Sequence, residues 1–267
     1  DYLIYAPNAD IIDFRAFKRC KAVLNLWAGV EDIASNTTLR IPLARMVDHG
    51  LTNGMTEWVV GHVMRYHLGM DRHILGQNGV WAPHIPPLAK ERTITVLGIG
   101  KLGSHCASTL ATLGFKVRGW SRRSKELKDV KCFAGAAEFK AALSGADFVV
   151  LLLPYTAETE NTLTRDSLSL LNKGAFVINP GRGPLIDDHA LLEAMDNGQI
   201  AHATLDVFRT EPLPKDHPFW THDQVTVTPH IAAATRPECA APTIVENIRR
   251  GEMGEPFLHL VDRQSGY

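Results

Sequence analysis

The sequence predicts an α/β protein of two domains, the larger a doubly wound parallel sheet. Three observations carry this. From Thr93 onward, six short apolar runs recur at intervals that leave room for helices, as in βαβ units feeding a parallel sheet. One of them, 147–153, is apolar without alternation, which fits a central strand covered on both faces. A glycine-rich turn also separates the first of these runs from a helix.

The elements follow in chain order. Residues 2–6, 22–26 and 41–44 read as strands, with helical material between the first two. A helix is expected over 56–73, where Trp58, Val59, His62, Val63, Tyr66 and Ile74 recur at helical spacing. Gly76 and the stretch from Pro83 to Pro87 then punctuate the chain as a linker. Strands follow at 93–97, 116–120, 147–153, 175–178, 203–207 and 225–228, with a helix at 102–113. Gly114, Gly174 and Gly198 stand where a left-handed residue closes a helix. After Pro242 a helical pattern runs through Arg250 into a polar tail, a segment expected to return to the first domain. The expected domains are 1–66 with 241–267, and 67–240. Because Asp1 leads straight into Tyr2-Leu3-Ile4-Tyr5, part of the natural N-terminus is expected to lie ahead of this chain.

Composition narrows the function. The 267 residues are 45% hydrophobic and 21% charged, with a formal net charge of −1. A sizeable core is affordable, and no basic face recommends a nucleic-acid partner. The longest apolar run, 148–153, is strand-sized, far from the ~20 residues of a membrane span, and no secretory signal is read. Cys20, Cys106, Cys132 and Cys239 lie far apart, which reads as reduced thiols of a cytoplasmic protein. The spacing of His62, His67 and His73 does not put them on one helical face, so no metal site is expected.

Gly98-Ile99-Gly100-Lys101-Leu102-Gly103 follows a strand and opens a helix, the context a dinucleotide site requires. Gly98 permits the tight turn, Gly100 lets the backbone approach a pyrophosphate, and Gly103 lets helix and strand pack closely. The helix N-terminus offers free N–H groups to phosphate. An acid at the end of the second strand would bind the ribose hydroxyls of NAD. Here Ser121-Arg122-Arg123 follow Trp120 instead. Guanidinium groups suit the extra phosphate of NADP, so NADPH is expected to be preferred, with NAD possible. The plainer alternative makes both arginines solvated turn residues.

Three segments follow the later strands: Asn179-Pro180-Gly181-Arg182-Gly183-Pro184, then Asp206-Val207-Phe208-Arg209-Thr210-Glu211-Pro212-Leu213, then Thr228-Pro229-His230. Each falls at the C-terminal edge of its strand, where open α/β sheets bind ligands. An arginine, a carboxylate and a histidine at one sheet edge suit a site where a carbonyl is bound and protonated as a hydride donor reduces it. Leu153 and Pro154, with Pro180 and Gly181, end strands on the same edge and are assigned to the cofactor.

In order and spacing these motifs resemble the D-isomer-specific 2-hydroxyacid dehydrogenases, and within them the bacterial glyoxylate/hydroxypyruvate reductases. Trp120-Ser121-Arg122, Glu211-Pro212-Leu213-Pro214, Thr235-Arg236-Pro237 and the tail from Val261-Asp262-Arg263 to Gly266-Tyr267 carry the finer likeness. The resemblance implies a Rossmann-like dinucleotide domain, a smaller flavodoxin-like substrate domain and a cleft between them. It also implies a further βα stretch ahead of Tyr2. Arg182 would hold the substrate carboxylate and polarise its 2-oxo group. His230 would be the general acid, paired with Glu211, which raises its pKa. Asp206 would orient the nicotinamide carboxamide. Trp27-Ala28-Gly29 match the loop whose amides clamp the carboxylate, and Trp27 would narrow the pocket toward short acids. Met55 would touch the nicotinamide or merely fill the core. Trp81 would reach a partner across a homodimer or simply pack.

The expected activity is NADPH-dependent reduction of glyoxylate or hydroxypyruvate to a D-2-hydroxy acid. The alternatives are reduction of bulkier acids such as phenylpyruvate and, more remotely, a dinucleotide-sensing corepressor-like scaffold.

Overall fold

The computed structural model describes residues 1–7, 10–263 and 266; Tyr267, at the end of the tail motif, lies outside them. The chain forms two compact units, one of Asp1–Asn53 with Ala233–Tyr267, the other Gly54–Ala232.

The first unit is built on a parallel three-stranded sheet, β1 (Tyr2–Tyr5), β2 (Ala22–Asn25) and β3 (Leu43–Ala44), in the order β1-β2-β3. Among the described residues, the helical material expected between β1 and β2 is a 3-10 turn at Phe14–Ala16, capped by the Asp13 carboxylate on the Arg15 amide. A short helix, α1 (Glu31–Ala34), follows β2. Val23, Ile33, Leu39, Leu43 and Val261 bury together beneath the sheet. The tail is tied in by main-chain bonds from Val261 to Leu43 and from Arg45 to His259, and by Arg263, which donates to the carbonyls of Ala34, Asn36 and Leu39.

The boundaries expected at 66/67 and 240/241 fall instead at 53/54 and 232/233. The first lies inside α2 (His49–His67). Near its start, Gly50 lies so close to Cys239 that a Cβ would meet the sulfur at 2.8 Å; farther along, the Tyr66 ring stacks on Phe176 at 4.8 Å. The helix begins ahead of residue 56 because the Asp48 carboxylate accepts the Leu51 amide, a cap placed before any apolar repeat. It ends at Gly69, left-handed at φ 62°, and a separate helix α3 (Met70–Ile74) follows. The stretch expected as a linker has no regular structure, and Trp81 in it is 96% exposed, so packing within the chain is not its role.

The second unit holds a seven-stranded, wholly parallel sheet ordered β10-β9-β8-β7-β4-β5-β6. Its strands are β4 (Thr93–Leu97), β5 (Lys116–Ser121), β6 (Val130–Ala134), β7 (Phe148–Leu151), β8 (Ala175–Asn179), β9 (Ile200–Leu205) and β10 (Val225–Val227). Six of them coincide with the predicted apolar runs; β6 does not, because it is an edge strand whose Lys131 breaks the apolar run. Helices α4 (Lys101–Thr112), α5 (Gly135–Leu143), α6 (Arg165–Leu168) and α7 (Asp188–Asp196) join the strands, and α8 (Pro237–Met253) belongs to the first unit. α8 starts ahead of Pro242 and carries that proline within it. Phe148, Val149, Val150 and Leu151 are fully buried, as a strand covered on both faces requires. The chain runs outward through β4, β5 and β6, then returns to β7 on the other side of β4. That reversal makes the C-terminal ends of β4 and β7 the switch point where such sheets bind ligands.

Candidate active site

At the switch point the glycines behave as their positions demand. Gly98 adopts φ 100°, and a Cβ there would meet the Leu152 main chain at 2.5 Å. A Cβ on Gly103 would sit 1.9 Å from the Gly98 carbonyl oxygen, so α4 packs directly on the turn. Gly100 has nothing within 4 Å of its Cβ position, which leaves open space beside the N-terminus of α4. Leu153 is buried, and Thr159 Oγ1 donates to the Pro154 carbonyl at 2.7 Å. A bare, donor-rich helix start beside an open glycine is a cradle that fits a pyrophosphate. After β5, the Ser121 hydroxyl donates to the Arg123 carbonyl at 2.7 Å. Arg122 and Arg123 are exposed; the Glu158 carboxyl is held below its ordinary value chiefly by a hydrogen bond from Thr156, with a smaller contribution from the Arg122 charge.

Three loops at the ends of β8, β9 and β10 bring the expected catalytic residues of this unit into one neighbourhood. Asn179 shapes the first: its side chain accepts the Gly181 amide at 3.1 Å and donates to the Arg182 carbonyl at 2.9 Å. Pro180 and Gly181 are buried. Arg182 is partly buried and donates through Nη1 to the Gly181 carbonyl at 2.6 Å. Gly183 lies against the next loop, since a Cβ on it would meet the Phe208 carbonyl carbon at 2.0 Å.

In that second loop Glu211 accepts the Phe208 amide through Oε1 at 2.9 Å and faces His230 Nδ1 through Oε2 at 2.7 Å. This pair raises the His230 pKa above its ordinary 6.5, the Glu211 hydrogen bond being the largest cause; burial and the Arg182 charge oppose it. Glu211 is held below the usual carboxylate range, its partial burial outweighed by bonds from His230 and the Phe208 amide and by the charges of His230 and Arg182. Arg182 is thus within electrostatic reach of both.

Asp206 lies at the start of the same loop. It is fully buried, and its carboxylate accepts Thr228 Oγ1 at 2.6 Å, the Ile231 amide at 2.9 Å and the Ala232 amide at 2.8 Å. Its carbonyl accepts the His230 amide at 2.9 Å. His230 has φ 53°, a left-handed conformation that a non-glycine residue holds only when its surroundings impose it. The Asp206 carboxylate therefore fixes the histidine loop, with three of its acceptor positions in use.

In the first unit, the loop after β2 has its carbonyls claimed. Asn25 Nδ2 donates to the Trp27 and Gly29 carbonyls at 2.8 and 3.0 Å. The Met46 amide also reaches Trp27 O at 3.1 Å, and Thr235 Oγ1 donates to Leu26 O. Among the described residues, the Ala28 and Gly29 amides have no acceptor, so two N–H donors remain for a ligand. Trp27 is 45% exposed. Met55, by contrast, is buried, which favours its role as core.

Comparison with known proteins decides the family. The sequence profile of the D-isomer specific 2-hydroxyacid dehydrogenase NAD-binding domain matches residues 60–232. A glyoxylate/hydroxypyruvate reductase A of Yersinia enterocolitica is 41% identical across the whole chain, which spans 88% of that relative. The chain belongs to the D-isomer specific 2-hydroxyacid dehydrogenase family. It is an NAD(P)-dependent oxidoreductase. A family member from Xanthobacter autotrophicus, solved in complex with NADPH and MES, superposes with a TM-score of 0.92 at 42% identity, over 95% of this chain and 81% of that one. An NADPH-dependent glyoxylate/hydroxypyruvate reductase of Sinorhizobium meliloti, in complex with NADP and sulfate, gives 0.91 at 34% identity, over 99% of this chain and 86% of that one.

In this dehydrogenase two residues of the quoted segments, Asn179 and Arg209, have structural roles that the sequence did not assign. Asn179 could have been found, since Asn-Pro is a turn signal at the mouth of the Arg182 loop. Arg209 could not. Its Nη2 donates to the Ile186 carbonyl at 2.6 Å and to Asn161 Oδ1, its Nη1 pairs with Glu160 at 3.4 Å, and it binds the loops that flank Arg182 to the loop that carries Glu211. No spacing in the sequence announces partners so distant along the chain.

Proposed function

We propose that the protein reduces glyoxylate or hydroxypyruvate to the corresponding D-2-hydroxy acid, using NADPH. The observation that carries this reading is the His230–Glu211 pair at 2.7 Å, within the field of Arg182 at the sheet edge that takes ligands. The likeness to proteins named as glyoxylate/hydroxypyruvate reductases supports the substrate class, and the absence of an acid from Ser121-Arg122-Arg123 supports NADPH.

When bound, the reduced nicotinamide supplies a hydride to the 2-oxo carbon. The chain supplies the rest. Gly98, Gly100, Gly103 and the amides of Lys101 and Leu102 hold the pyrophosphate, and Ser121, Arg122 and Arg123 attend the adenosine end. Leu153, Pro154, Pro180 and Gly181 line the cofactor. Arg182 binds the substrate carboxylate and steadies negative charge growing on the 2-oxo oxygen; in the first unit, the Ala28 and Gly29 amides are donors suited to a carboxylate. With Nδ1–H held by the Glu211 carboxylate, Nε2 of His230 is the ring nitrogen left to deliver a proton to the alkoxide oxygen. Trp27 favours short acids by occupying space.

The direction of the His230 shift fixes a pH dependence. Reduction needs the imidazolium, so kcat/KM stays level up to the raised His230 pKa and falls at higher pH. Glu211→Gln removes the main cause of the shift, so the alkaline limb of that profile should move to lower pH. A limb that stays in place would contradict the pairing. Stability shares the sign: the contribution of the His230 shift is fully present below the unfolded histidine value near 6.5 and is lost as pH rises through the folded one, while that of Glu211 is lost as pH falls through its lowered value.

The activity is tested by the rate of NADPH and NADH oxidation with glyoxylate, hydroxypyruvate and phenylpyruvate. Rapid oxidation of NADPH with the two small acids is expected. Faster turnover of phenylpyruvate would favour the broad-specificity alternative, and no turnover with any acid would favour the scaffold.

A further inference from the structure

Arg209 lies in the loop that carries Glu211, yet its side chain bonds to the segments around Arg182. Nη2 donates to the Ile186 carbonyl at 2.6 Å and to Asn161 Oδ1, with the Pro184 carbonyl at 3.4 Å. Nη1 meets Glu160 Oε1 at 3.4 Å, and Nε lies 3.8 Å from Asp188 Oδ2. These partners form one platform. The Asn161 and Leu163 amides donate to the Pro184 and Leu185 carbonyls at 2.8 and 2.9 Å, and the Asp187 amide donates back to the Leu163 carbonyl at 2.9 Å. The platform continues directly from Arg182, because the Leu185 amide donates to the Arg182 carbonyl at 3.3 Å and closes the 3-10 turn Gly183–Leu185. On the other side, Arg209 follows Phe208, whose amide holds Glu211 Oε1 at 2.9 Å.

Two contacts therefore join the Arg182 turn to the Glu211 loop. One is the close approach of Gly183, where a Cβ would meet the Arg209 amide nitrogen at 2.4 Å. That contact is steric: it stops the loops from coming closer but not from parting. The Arg209 guanidinium supplies the attraction. Ile186 is 2% exposed, so its carbonyl has little access to water as a substitute donor, and leaving such a group unpaired is costly. A planar fork holds both segments of the platform at once, which a point charge cannot do.

We propose that Arg209 is a positioning residue for this reaction: by strapping the Glu211 loop to the Arg182 turn, it holds the Glu211 carboxylate on His230 and keeps Arg182 in reach of both. The inference rests on the reading above for the roles of those three residues. Arg209 acts through them and takes no part in the chemistry itself.

The sign of one effect separates positioning from charge. Glu211, Arg182 and Asp206 are charged groups that face His230. Around Arg209 stand Glu160, Asp188 and, 3.9 Å beyond Asp188, His217. Deleting a cation by itself would raise a histidine's pKa, whereas releasing the Glu211 carboxylate would lower that of His230. Positioning predicts the second.

Arg209→Met keeps the aliphatic stem and removes the fork. With hydroxypyruvate its kcat/KM should fall by up to about a hundredfold, the cost of a misplaced catalytic group, with KM raised and kcat lowered. The alkaline limb of its pH profile should move to lower pH. Combined with Glu211→Gln, the limb should lie where Glu211→Gln alone puts it, because both changes break one path. Arg209→Lys should restore part of the rate. Asn161→Gly is milder: it removes one acceptor and suits the left-handed backbone there, φ 50°, so its limb should move the same way by less. A limb that stays or rises in Arg209→Met, or that moves farther in the combined variant, would overturn the inference; should Arg209→Met not fold, an Asn161→Gly limb that stays in place does so. The His230 titration is also read without turnover, by NMR of the imidazole ring protons, assigned from their loss in His230→Ala. A lowered His230 value in Arg209→Met supports the strap even where no 2-oxo acid is reduced, a result that would refute the activity alone. Turnover of hydroxypyruvate with an unmoved His230 value in Arg209→Met refutes the strap alone.

Discussion

His230→Ala should lower reductive turnover by about 10²–10⁴-fold, the usual worth of a positioned general acid, and leave the dissociation constant for NADPH unchanged. The imidazole side chain is 50% exposed, so its removal opens no cavity. The left-handed backbone at this position costs alanine about 1–2 kcal/mol, as it already costs histidine, and the Asp206 carbonyl and carboxylate still hold the loop. The loss should therefore fall on chemistry, in kcat. Steady-state rates paired with a fluorescence titration of NADPH check this, and unchanged turnover would refute the acid role.

Arg182→Gln should lower kcat/KM for the 2-oxo acid by about 10²–10³-fold, as loss of a donor to a developing oxyanion does. KM should rise and kcat fall together, because the guanidinium serves both the bound carboxylate and the transition state. Lysine should recover little, since a point charge cannot reproduce the planar fork. A second readout separates this from collapse of the loop. Arg182 opposes the raised pKa of His230, so its removal should carry the alkaline limb of the pH profile upward, opposite in sign to Glu211→Gln. A kcat/KM within a few-fold of the unchanged protein, or a limb that moves downward, would contradict the assignment.

The parts of the fold that were legible in the sequence are those where one local rule suffices. β4 was readable to the residue because a buried apolar run stops at glycines that the turn needs. Gly114, Gly174 and Gly198 all take positive φ, as expected. β6 was not readable, since at an edge an alternation broken by Lys131 resembles the charged loop before it. The start of α2 was missed because its first turns, His49-Gly50-Leu51-Thr52-Asn53-Gly54, carry poor helix formers; the Asp48 cap and burial on the fold override that propensity. At the site, Arg182, Glu211 and His230 stood out because each lies in a segment that follows a strand and because the three ordered motifs resemble a known family. What holds them did not. The bonds of Asp206 to the His230 loop and of Arg209 to the Ile186 carbonyl join residues 25 and 23 apart in the chain, and only the folded sheet brings them together.

The central claim is hydride transfer from NADPH to a 2-oxo acid. It is tested most directly by incubating the protein with hydroxypyruvate and NADPH deuterated at both C4 positions of the nicotinamide, then examining the product by mass spectrometry and chiral chromatography. D-glycerate carrying one deuterium at C2 is the predicted result. Unlabelled glycerate, the L enantiomer, or no product would contradict it.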